Sequence, residues 1–156
     1  MSRKTISAMV KTTIVFLALT GILCCVMMPT IVKYILPGFS GRTHIYWSVF
    51  LIFSAIPCFG ALIPAWIIAD NIKKSKAFCK SNAKMMHLIG ILMAVDTSIL
   101  FLVNILYFIC KISFVYLFSA FFLIIAIFFA LSVCSFALSS LIANATELQI
   151  QSDLTI

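Results

Sequence analysis

Apolar and polar residues are segregated along this chain rather than interleaved. Four long apolar runs, at about 12–34, 45–69, 88–110 and 112–142, hold most of the hydrophobic residues, and the polar residues gather between them and at the ends. A buried core helix rarely needs more than about 10–14 apolar residues, whereas a bilayer crossing needs about 20. In hydrocarbon every backbone group must be bonded inside its own segment, and these runs are too long for barrel strands of about 9–11 residues. The pattern therefore predicts an all-α integral membrane bundle of four transmembrane helices.

The widest polar gap, 70–87, carries Lys73, Lys74, Lys76, Lys80 and Lys84. Four crossings place this gap on the same side as both termini, together with Arg3, Lys4 and Lys11. The opposite side has only Lys33, Arg42 and Lys111. The positive-inside rule then predicts that both termini are cytoplasmic, with a basic cytoplasmic loop at 70–87 and a cytoplasmic tail at 143–156.

Composition agrees with this reading. Hydrophobic residues make up 64% of the 156 and charged residues 10%, against roughly 45–50% and 25% in soluble domains. The formal charge of +7 follows from topology, and direct nucleic-acid binding is not needed to explain it. The first run continues through Val26 to Pro29 without a small-x-small cleavage site, so it is expected to be a retained helix rather than a signal peptide.

No linker, repeat or low-complexity stretch divides the chain, which predicts a single compact membrane domain over 1–156. The connection between the third and fourth runs is little more than Lys111, forcing an antiparallel hairpin. The fourth run, about 31 residues at 1.5 Å each, exceeds a hydrocarbon core of roughly 30 Å. Its polarity rises gradually from Ser139 to Gln149, which favours an end projecting into the cytoplasm.

Small residues mark helix interfaces in lipid, where little hydrophobic force drives helices together. Ala61, Ala65 and Ala69 recur every four residues on the second span, and Ser135, Ser139 and Ala143 do so on the fourth. Packing within one chain is the simpler use of these rows, and a homodimer face is the alternative. Pro57 and Pro64 lie inside the second span, where each removes a backbone donor and bends the helix.

Asp96 is the one acidic residue well inside a span. A charge at the bilayer centre costs at least about 2.5–3.5 kcal/mol on insertion scales, so such a carboxyl faces protein or water. Thr97 and Asn104 share its side of the third span, forming a polar stripe able to carry protons or hold an ion. The competing reading makes Asp96 and Asn104 interhelical glue. No basic residue lies deep in another span to pair with Asp96, which favours a protonated acid.

Catalytic chemistry has little to build on. The six cysteines show no ligand spacing, and His44 and His87 fall on opposite faces, so neither a metal site nor a cofactor is expected. Four acidic residues, one of them intramembrane, cannot assemble a carboxylate pair or a triad. The chain is expected not to be an enzyme. Lipid binding is easier to support: the loop lysines suit anionic head groups at about 1 kcal/mol each, with Phe78 anchoring the loop. Tyr46 and Trp47 suit the opposite interface as aromatic anchors.

The loop IKKSKAFCKSNAKMMHLIG, Ile72 to Gly90, and the tail ELQIQSDLTI, Glu147 to Ile156, together resemble the bacterial membrane family catalogued as domain of unknown function 2975. Phe78, Asn82, Ile89 and Gly90 match that family's loop, while Ala77 and Ser75 stand where it has proline and glycine. The tail matches its aspartate-leucine-threonine-isoleucine ending. The resemblance implies a four-helix protein of the bacterial plasma membrane, and a partner among small helix-turn-helix regulators of the Xre type.

Two functions stay open on the sequence. The first is a membrane regulator or adaptor, working through Lys73, Lys74, Lys76, Phe78, Lys80, Asn82 and Lys84 of the loop with Glu147, Asp153, Leu154 and Ile156 of the tail. In it an extended tail adds a strand to a partner or fills a groove on it, unless Glu147 and Asp153 simply pair with the loop lysines. The second is a small transporter or immunity protein using Asp96, Thr97 and Asn104.

Overall fold

A computed structural model of the chain describes residues 2–35, 43–74 and 78–154, with side chains for 2–34, 45–74 and 78–152. Four helices follow one another: α1 (Arg3–Ile35), α2 (Thr43–Lys73), α3 (Lys80–Ile109) and α4 (Val115–Leu154). Each is long and apolar enough to cross a membrane. Lys76 and Ile156 lie outside the described residues, as do the side chains of Asp153 and Leu154.

The helices lie in a row. Among the described residues, backbones pack closely only between chain neighbours: α1 on α2, α2 on α3 and α3 on α4. The expected compact bundle is thus an open one, and the reason is energetic. Nothing like the hydrophobic effect closes a ring of helices in lipid, so helices meet where small residues and polar groups build a seam. Three seams are built, and α3 shares two of them. The share of its apolar window that is buried, 28%, exceeds the 6% of α1 for that reason.

The α3–α4 hairpin turns on Lys111, whose φ of 55° lies in the left-handed region. Lys111 N–H donates to Phe108 O at 3.1 Å and Ile112 N–H to Tyr107 O at 2.8 Å. These two bonds satisfy carbonyls that the end of α3 would otherwise leave open. Trp47 of α2 seals the same end. It is 1% exposed, donates Nε1–H to Ile112 O at 3.2 Å, and stacks on Phe121 with ring centroids 5.0 Å apart. Expected as an interfacial anchor, Trp47 is instead the largest fully buried side chain, while Tyr46 remains exposed. The hydrogen bond to the turn explains the difference, because it satisfies the indole donor inside the protein.

Register along the α3–α4 seam is set by small residues every seven positions. Ala83, Gly90, Thr97 and Asn104 on α3 meet Ser139, Ser132, Ile125 and Phe118 on α4 in antiparallel order. Ser139 Oγ donates to Ala83 O at 2.8 Å, Ser132 Oγ to Gly90 O at 2.9 Å, and Asn104 Nδ2 to Phe118 O at 3.2 Å. A seven-residue repeat keeps one seam facing its partner over many turns. The expected row of Ser135, Ser139 and Ala143 is therefore rotated: Ser135 and Ser139 are buried, Ala143 is exposed, and Ser132 and Thr146 complete the line.

On α2, Ala61 and Ala69 are buried as the spacing suggested, and the helix runs unbroken through Pro57 and Pro64. α4 continues without interruption to Leu154, so the tail expected to be extended is helical over Ala143 to Leu154. At 40 residues, α4 is about 60 Å long, roughly twice a hydrocarbon core.

Candidate functional site

The polar side chains of α3 divide between its two neighbours. Asp96 is fully buried and faces α2, where Ser54 Oγ donates to Oδ1 at 2.7 Å and Cys58 Sγ donates to Oδ2 at 3.3 Å. Ser54 and Cys58 stand four residues apart on α2, one turn above the other, so a single helix face presents both donors. Each carboxyl oxygen thus has a partner from the neighbouring helix.

Thr97 and Asn104 face the other way, into the α4 seam. Thr97 Oγ1 bonds back to Met93 O at 2.7 Å within its own helix. Asn104 spans to α4 through Nδ2, while its Oδ1 is buried without a hydrogen-bond partner among the described residues. The stripe expected to act as one polar path is therefore split, Asp96 on one seam and Thr97 with Asn104 on the other. Beside Thr97 a cavity of about 510 Å³ opens laterally, but its walls are Phe101, Leu102, Phe122, Ile125 and Phe129, which offer little to an ion.

At the lysine end the structure sorts the loop residues. Asn82 is 1% exposed, and Asn71 Nδ2 donates to its Oδ1 at 2.7 Å, so it ties α2 to α3 rather than offering a surface. The reason lies in register: Asn82 precedes Ala83, just as Asp96 precedes Thr97, and both positions face α2. Lys73, Lys74, Phe78, Lys80 and Lys84 are exposed. Lys80, Lys84 and Glu147 line one groove of about 470 Å³ with Ala143, Ile150 and Gln151. No ion pair joins Glu147 to a described lysine.

The one ion pair among the described residues joins Lys11 of α1 to Asp70 of α2. Lys11 Nζ also sits 4.6 Å from the ring centroid of Trp66, and Ser7 Oγ donates to Ala69 O at 2.7 Å. Sequence reasoning counted Lys11 only as a topology marker. The available signal was its isolation: it follows a short apolar stretch rather than the Arg3–Lys4 pair, and Asp70 is the one acid at the matching end of α2.

The family model described as a protein of unknown function, DUF2975, matches residues 7–156. The chain belongs to the DUF2975 family. That match covers all four helices, both seams of α3 and the α1–α2 clamp, so in this DUF2975 member the Asp96 site and the lysine-end groove are parts of the family domain. Neither the curated proteins nor the solved structures contain a match.

Proposed function

We propose that this protein is a non-enzymatic adaptor of the bacterial plasma membrane, with both termini cytoplasmic, which holds a small helix-turn-helix regulator at its lysine end. The observation that carries the reading is the length of α4. Its last turns run beyond the apolar part of the helix and present Leu148, 66% exposed, at the end of the molecule that also carries Phe78, 59% exposed, and the lysines of the loop. Large apolar side chains on a polar, basic surface outside the hydrocarbon are a docking signature. A helix presenting them suits helix-in-groove recognition better than strand addition does.

The test is an affinity capture from the native cells, comparing the full chain with one ending at Ala143. A helix-turn-helix protein held by the full chain and lost with the shortened one supports the reading. Equal capture by both, or capture by neither, removes the tail from it. The transporter reading has weaker support, because Asp96 and the pair Thr97 and Asn104 face different helices.

A further inference from the structure

The α3–α4 hairpin carries two grooves, and the heptad register puts them on one face. Lys84 and Ser98 are two heptads apart, Lys80 and Phe101 three; on α4, Ala143 and Phe129 are two heptads apart, Glu147 and Ala126 three. Lys80, Lys84, Ala143 and Glu147 line the groove at the lysine end; Ser98, Phe101, Ala126 and Phe129 line the apolar one. In a pair that keeps a seven-residue seam, such positions look the same way. This face points away from α2. The bonds to α2 leave from Asn82 and Asp96, one residue before the seam positions, and the grooves use Lys84 and Ser98, one residue after.

Two further features fit one occupant. Lys84 and Thr97 are thirteen residues apart, about 20 Å along a helix, which is close to half the 40–45 Å of a bilayer with its head groups. The charges at the lysine end have both signs: Lys80 and Lys84 on the α3 lip, Glu147 on the α4 lip, none of them in an ion pair among the described residues. A simple anion would meet Glu147 with repulsion. A head group with a phosphate and a primary ammonium would satisfy both lips.

We propose that this face is a binding site for one aminophospholipid of the phosphatidylethanolamine type, from the leaflet at the lysine end. Its phosphate lies on Lys80 and Lys84, its ammonium on Glu147, and an acyl chain follows the hairpin past Phe136 to the apolar groove. Lysine binds phosphate as a point charge, and the carboxylate supplies selectivity against head groups lacking N–H donors. The site shares loop lysines with the regulator reading but does not rest on it: retained lipid tests this site, and captured protein tests that reading.

The experiment uses the full chain in nanodiscs of equal phosphatidylethanolamine and phosphatidylglycerol, followed by extraction into mild detergent and quantification of retained lipid by mass spectrometry. The wild-type chain retains phosphatidylethanolamine in excess. Lys80→Gln with Lys84→Gln lowers that retention, by about fivefold per lysine. Glu147→Gln abolishes the preference, leaving phosphatidylglycerol retained at least as well. These residues are exposed, so helicity is expected to be unchanged, and circular dichroism checks this. Ala126→Trp, which fills the apolar groove, lowers retention without changing head-group preference. Retention that follows negative charge alone in the wild-type chain overturns the proposal, as does a preference that survives Glu147→Gln.

Discussion

Gly90 gives the sharpest test of the α3–α4 seam. A Cβ built there would lie 2.9 Å from both Cδ1 and Cε1 of Phe136 and 3.2 Å from its Cγ. Ordinary carbon contacts begin near 3.5 Å, so the ring or the helix would have to move by about half an ångström. The ring is hemmed in on another side by His87, its centroid 5.1 Å away, and the backbone of Gly90 is held by the Ser132 hydrogen bond. Overpacking of this kind costs about 1–3 kcal/mol, against up to about 1 kcal/mol that alanine returns through helix propensity. Gly90→Ala is expected to destabilise the hairpin by up to about 2 kcal/mol, the difference of those terms, where Gly60→Ala gains the helix-propensity term alone. Gly60 is the internal control, since a Cβ there meets only Leu92 Cδ1 at an ordinary 3.7 Å. Reversible unfolding by sodium dodecyl sulfate in mixed micelles, followed by far-ultraviolet circular dichroism, measures both. A second substitution, Phe136→Leu, should recover most of the Gly90→Ala loss, giving a coupling in the range that contacting residues show, about 0.5–3 kcal/mol. If Gly90→Ala proves as well tolerated as Gly60→Ala, the reasoning about this seam is wrong.

Two other substitutions test the remaining joints. Asp96→Leu leaves the donors of Ser54 and Cys58 without their acceptor and is expected to cost about 1–2 kcal/mol in the same unfolding assay, near the upper end for interhelical bonds in membranes; Asp96→Asn keeps an acceptor for Ser54 and should cost less. Lys111→Gly relieves the left-handed residue at the turn and should stabilise the chain by roughly 1 kcal/mol, measurable as a higher midpoint of denaturation, and an unchanged or lower midpoint would contradict the assignment of that turn.

The four helices could be read directly from the sequence because their signal is length, which needs no knowledge of neighbours. The place of the α3–α4 turn could be read for the same reason, although the connection takes five residues, 110–114, rather than little more than Lys111. Side-chain partners were a different matter. Asp96 was visible as an anomaly, yet Ser54 and Cys58 were not, because serine and thiol cost little in a span and give no signal alone. Asn82 looked like a surface residue within a lysine-rich loop, and only the helical register of α3 shows that it turns inward. The small-residue rows were found at a spacing of four, which follows a straight helix, whereas the α4 seam repeats every seven. The error was one of period: it put the exposed Ala143 in the seam and missed the buried Ser132 and Thr146.

An open row of helices held by three seams puts unequal demands on its members. The α3–α4 seam is bonded at three levels by residues in heptad register and closed by a five-residue connection, so its contacts form at low entropic cost. The α1–α2 seam is held near one end by Ser7, Lys11 and Asp70, and farther along by Gly21, against which the ring of Phe59 closes to 2.8 Å from where a Cβ would stand. Between these two pairs lies the α2–α3 seam, whose polar ties include Asn71 with Asn82 and Ser54 and Cys58 with Asp96, while Trp47 of α2 bonds the Ile112 carbonyl at the hairpin turn. Exchanging a hydrogen bond for another costs less in such a seam than prising apart close-packed backbones, because freed polar groups in a membrane find substitute partners. The buried carboxyl is thus one of several polar ties between the two helix pairs, and it draws a donor to each of its oxygens from the same face of α2.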